Sequence, residues 1–107
     1  LHEMEDPAAA LAHAKALATD VVVFDHSAGS EWVTFGAEED KVARSAAVLE
    51  RFGLRRRARF RAEQRFASHA ELVARIAPQG PVALKRAGRF AGARDIVIPM
   101  DYELNLL

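Results

Sequence analysis

Six apolar residues at every second position, Ile96, Ile98, Met100, Tyr102, Leu104 and Leu106, alternate with Val97, Pro99, Asp101, Glu103 and Asn105. A period of two sends successive side chains to opposite faces of a strand, so the segment predicts a strand with one apolar and one mostly polar face. Such a strand belongs in an antiparallel arrangement. Pro99 lacks a ladder donor and predicts an edge or a bulge at that point.

A second strand is predicted at Val21-Val22-Val23-Phe24, an unbroken apolar run rich in β-branched residues. Unbroken runs are typical of strands covered on both faces, which favours a parallel sheet. Asp6 followed by Pro7 predicts the start of a helix over Ala8–Leu17, with a carboxylate N-cap and proline at the first position. His26 to Gly36 reads as a loop, and Trp32, Val33 and Phe35 make it apolar enough to fold back over something. A helix from Ala37 to Phe52 follows, with Val42, Ala46, Leu49 and Phe52 at helical spacing and Gly53 as its stop. A strand is read around Ala58–Ala62. Ser68-His69-Ala70-Glu71 is a capping box opening a helix through Leu72, Val73 and Ile76. A further helix is expected over Val82–Phe90.

At 107 residues the chain (residues 1–107) is read as a single domain. It has no cysteine, which removes disulfides, thiolate metal sites and a cysteine nucleophile from consideration. No apolar run approaches the roughly 18 residues of a membrane span, and the start does not look like a signal peptide, so a cytoplasmic protein with no membrane partner is expected. Residues 1–50 carry ten acids and three bases, and residues 51–107 five acids and twelve bases. The expectation is two faces of one fold that complement each other. Arginines at 55, 56, 57, 59, 61 and 65 are interleaved only by Phe60 and Phe66, and nucleic acid is not expected as a partner.

Asp25 and His26 are the pair that first principles single out. They would sit where open α/β sheets bind ligands, outside the carboxyl end of a strand. A histidine beside a carboxylate can take a proton from a substrate hydroxyl or amine, and His26 is the catalytic candidate. Neighbours on a strand nevertheless point to opposite faces, so the two need not touch. Trp32 and Phe35 read either as a lid or aromatic wall of a substrate pocket or as residues capping a core. Tyr102, on the apolar face of its strand, reads as packed. No metal is expected, because His2, His13, His26 and His69 are scattered without short ligand spacings. No GxSxG nucleophile motif is present.

The segments LHEMEDPAAALAHAKAL before VVVFDH, then EEDKVARSAAVLERFG, and finally DIVIPMDYELNLL, in that order, resemble the C-terminal half of a class I S-adenosylmethionine-dependent methyltransferase. The resemblance implies an α/β chain of Rossmann-like type: one parallel strand, Val21–Asp25, plus an antiparallel strand pair, with helices on both faces. It implies S-adenosylmethionine as cofactor and a small-molecule substrate. His2 and Glu3 would line the cofactor's methionine end, with Asp25, Trp32 and Phe35 on the substrate side. The family's glycine-rich loop and its ribose-binding acidic residue have no counterpart here and are expected upstream of Leu1. The chain alone is therefore expected to bind the cofactor poorly. Its partner would be that N-terminal half or a second copy. The alternative from another class is a non-catalytic α/β interaction module that dimerises through an incomplete sheet edge, and a basic nucleic-acid-binding domain stands third.

Overall fold

The Asp6 carboxylate accepts the Ala9 N–H at 2.9 Å and Pro7 takes the first helical position, so helix α1 (Pro7–Leu17) starts where the sequence predicts. The structure, a computed structural model, describes residues 1–107. After α1 come β1 (Val22–His26), α2 (Glu31–Phe35), α3 (Glu39–Arg51), β2 (Arg56–Ser68), α4 (His69–Ile76), α5 (Pro81–Ala87) and β3 (Arg94–Leu106). Short 3-10 turns at Ala77–Gln79 and Gly88–Phe90 follow α4 and α5. The expected loop after β1 thus contains a short helix, and the helix expected over Val82–Phe90 ends its α-helical part at Ala87. The capping box opens α4: Ser68 accepts the Glu71 N–H at 3.3 Å, while the Glu71 carboxylate accepts from Ala67 at 2.7 Å.

The three strands lie in the order β1-β3-β2, and both pairs are antiparallel. This corrects the expectation of a parallel strand at Val21–Asp25: β1 pairs with β3 from Val22 opposite Leu106 to His26 opposite Tyr102. Its apolar run is not the signature of two covered faces, because Val21 and Val23 face a core while Val22 and Phe24 stay 58% and 57% exposed. β1 and β2, each antiparallel to β3, run parallel to one another without touching.

β2 is longer than the predicted Ala58–Ala62, reaching from Arg56 opposite Leu106 to Ser68 opposite Arg94. Its arginines extend it by pairing across the ladder: Arg61 Nε meets Asp101 at 2.7 Å, and Arg57 and Arg59 each reach Glu103 at 3.1 Å. Thirteen residues per strand span about 43 Å at the usual rise, which accounts for most of the molecule's 50 Å long dimension. Pro99 sits opposite Glu63 on β2, beyond the segment of β3 that β1 covers, so β3 is locally an edge where it lacks a donor.

Alternation divides β3 between two cores. On one face Ile96, Ile98 and Met100 pack with Phe66 of β2, Trp32 and Phe35 of α2, Leu72 and Ile76 of α4, and Ala83 and Ala87 of α5. On the other face α1 and α3 bring Leu11, Val48 and Leu49 against Leu107, with Val21 and Val23 beside them. The helices therefore cover opposite faces at opposite ends of the sheet. One stretch has no helix over it: Val22, Phe24, Leu104 and Phe60, on the face opposite α3, are all exposed. The outer edge of β1 also has no strand partner.

Candidate functional site

Asp25 is the penultimate residue of β1, and the alternation of the strand turns its side chain toward α3 and away from His26. Only 6% of it is exposed. A buried carboxylate needs several donors, and this one has them. It accepts the backbone N–H of His2 at 2.9 Å, its neighbour His26's N–H at 2.8 Å and the Ser45 hydroxyl of α3 at 3.1 Å. Its other strong partner is the His2 Nδ1, and the Leu1 nitrogen lies 3.2 Å away. Burial pushes the Asp25 carboxyl up, but the His2 ring and the His26 N–H outweigh it and hold the group below its ordinary value. The segment Leu1–Glu3 is thereby fastened to the carboxyl end of β1.

The sequence pair Asp25 and His26 is not the pair the fold makes. Asp25 takes His2, 23 positions away, and meets His26 only through its backbone. The His26 ring stacks on Tyr102 with centroids 4.6 Å apart, and Tyr102 stacks in turn on Phe24 at 4.8 Å. It meets His2 edge-on at 5.4 Å, and its Nδ1 is buried without a hydrogen-bond partner. Burial and then the nearby His2 ring hold His26 below the usual imidazole range. An unpaired buried nitrogen costs stability, so His26→Phe, which keeps the stack, is expected to gain about 1 kcal/mol at pH 7 by chemical denaturation. The wild type should also lose stability as pH falls below the ordinary value of 6.5, because the unfolded chain binds the proton more readily. That slope should flatten in the variant.

Glu3 is the exposed member of the cluster, with 65% of its side chain in solvent. Its carboxylate lies 3.4 Å from His2 Nε2 and 3.4 Å from the Lys41 amino group, which also reaches Glu38 at 3.6 Å. Slight burial pushes the Glu3 carboxyl up, but Lys41 outweighs it and leaves it below its ordinary value. His2, Glu3 and Glu38 each bring one ligand-capable atom within 4.8 Å of the others. The Lys41 ammonium already supplies the positive charge between the two carboxylates.

Trp32 and Phe35 stand apart from this cluster. Both are buried under α4 and α5, Trp32 stacked on Phe66 at 5.9 Å and Phe35 against Phe90 at 5.3 Å. Of the two roles open to them, the fold realises core packing, and the guanidiniums of Arg75 and Arg89 cap their rings from outside.

A feature that sequence reasoning missed lies beside Asp25. Ser27, Gly29, Arg57, Arg59, Tyr102 and Glu103 border a cleft of about 620 Å³, within the range of small-molecule sites. Glu103, cross-strand neighbour of Asp25, is buried and held by Arg57, Arg59 and the Ser27 hydroxyl at 3.3 Å. The available signal was its place on the polar face of the alternating strand, opposite arginines.

Comparison with family models, with curated proteins and with solved structures found no match. No helix is long and apolar enough to cross a membrane. Several first-half acids meet second-half arginines, Asp20 with Arg55, Glu39 with Arg86 at 2.6 Å and Glu31 with Arg89 at 3.2 Å. On the arginine-rich strand Glu103 takes Arg57 and Arg59, and Asp101 takes Arg61.

Proposed function

We propose that this chain takes part in methyl transfer from S-adenosylmethionine to a small molecule, supplying the C-terminal portion of the catalytic sheet. The observation that carries the reading is the fastening of Leu1–Glu3 to the carboxyl end of β1 through Asp25. It puts His2 and Glu3 beside the carboxyl end of β1, close to Asp25, where the resemblance expects them to line the cofactor. The open edge of β1 and the bare face formed by Val22, Phe24, Leu104 and Phe60 support it further, as places where more sheet and more helix would fit.

The donor set suits one end of the cofactor. A methionine moiety carries an ammonium and a carboxylate, and Glu3, Glu38 and Lys41 present charges of both signs at the site. The chain carries no glycine-rich loop for the nucleoside end. When bound, the sulfonium supplies a methyl electrophile whose electron pair leaves on sulfur. The residues of this chain contribute orientation, which is the main requirement of such a transfer.

The test is calorimetry with S-adenosylmethionine and with its demethylated product, on this chain and on a form carrying residues ahead of Leu1. Binding by the longer form alone supports the proposal, and binding by neither overturns it. The bare face and open edge favour a second reading, a non-catalytic module that pairs with a second copy along β1. Sedimentation of the same samples separates the two, since a clean monomer that binds the cofactor product excludes the module.

A further inference from the structure

We propose that Asp25 and His2 form a proton-accepting dyad in which His2 Nε2 removes the proton from a hydroxyl or amine of the bound acceptor. The identity of that acceptor rests on the methyl-transfer reading, whereas the dyad is a property of this chain alone. His2 is the catalytic residue and Asp25 the positioning residue.

Three observations converge on the assignment. The Asp25 carboxylate engages His2 twice, through the backbone N–H at 2.9 Å and through the ring Nδ1, which fixes both where the imidazole sits and which nitrogen carries its hydrogen. The remaining oxygen capacity of Asp25 is taken by the His26 N–H and the Ser45 hydroxyl, so this carboxylate orients and does not itself receive a substrate proton. His2 Nε2 faces the Glu3 carboxylate at 3.4 Å, on a side chain that is mostly in solvent and is also met by the Lys41 amino group at 3.4 Å. His26 meets Asp25 only through its backbone N–H, with no carboxylate on its Nδ1 and its ring stacked on Tyr102.

The groups facing His2 are Asp25 and His26 of β1, Glu3 of its own segment, and Glu38 and Lys41 at the start of α3. In the proposed step the acceptor's O–H or N–H bond breaks, the proton passes to Nε2, and the electron pair stays on the oxygen or nitrogen as nucleophile. The imidazolium so formed lies against the Asp25 carboxylate, which stabilises it without taking the proton.

Long-range proton–nitrogen correlation spectra of the neutral imidazoles test the assignment. In the wild type His2 is expected as the Nδ1–H tautomer, with Nε2 bare. Glu3→Gln is expected to leave that tautomer in place, and Asp25→Asn to abolish the preference. Carbethoxylation with diethyl pyrocarbonate, followed by peptide mass mapping, supplies the second readout. His2 should be modified faster than the exposed His13 of α1, and Asp25→Asn should remove that advantage. An Nε2–H tautomer in the wild type that disappears in Glu3→Gln overturns the dyad, as does His2 reacting more slowly than His13. Because Glu3 is exposed, Glu3→Gln keeps the test available should Asp25→Asn not fold. Failure of these measurements is separate from failure to bind S-adenosylhomocysteine, which would overturn methyl transfer instead.

Discussion

Replacing Asp25 by alanine is expected to cost about 3–5 kcal/mol of folding stability at pH 7, measured by chemical denaturation. The loss is large because the side chain is nearly fully buried and several partners converge on it. Deleting it strands the Ser45 hydroxyl inside the protein and frees the Leu1–Glu3 segment, so the penalty exceeds that of one hydrogen bond. Asp25→Asn should cost less, since an amide still accepts at one atom. The acid dependence has a definite sign. The folded carboxyl lies below its ordinary 3.8, so its stabilisation is present above about pH 3.8 and fades as pH falls through the folded value. The difference between wild type and Asp25→Asn should therefore shrink only in that acid range. A cost under about 1 kcal/mol for Asp25→Ala would show that the segment is held by something else.

Ile98→Ala is expected to cost about 3–4 kcal/mol, whereas Leu104→Ala, on the same face of the same strand, should cost under about 1 kcal/mol. Ile98 is 0% exposed beneath α2, α4 and α5, and Leu104 is 36% exposed on the stretch that no helix covers. Truncating Ile98 leaves a cavity in the core it shares with Leu72, Ile76 and Phe66, which packed neighbours cannot fill. Truncating Leu104 leaves a dent that water fills. The contrast measures how much of this sheet face is finished. Equal costs would mean that the bare end is covered in solution, by association of the chain with itself, and the gap between the two variants would then depend on protein concentration.

Local chemistry was readable from the chain and long-range partnership was not. The β3 strand follows from its strict alternation, α1 from Asp6-Pro7, and α4 from its capping box, because each signal lies within a few residues. The parallel pairing expected of Val21–Asp25 gives way to an antiparallel one, since an apolar run reports hydrophobicity but not what lies on each side of it. Only the fold shows that Val23 is covered while Val22 and Phe24 are not. The arginines of β2 hid a strand of thirteen residues because their partners, Asp101 and Glu103, lie far along the chain. The site repeats the lesson. The sequence singles out Asp25 beside His26, whereas the imidazole on its carboxylate is that of His2. The period of a strand explains why, since neighbours along it face apart.

The middle strand of the sheet is the last of the three in chain order, and this bears on how the protein is made. During synthesis β1 and β2 emerge with no partner for their backbone groups, since neither pairs with the other. The helices can form from local contacts as they appear, but the ladder must wait until Arg94–Leu106 has been translated. Ser27 and Glu103, joined in the finished sheet, stand 76 positions apart. Until that contact closes, Val23 and Phe66, which the finished fold covers, lie open on unpaired strands, the kind of nascent surface that chaperones hold. Ribosomal pausing ahead of β3 would lengthen that exposure, while pausing after it would not.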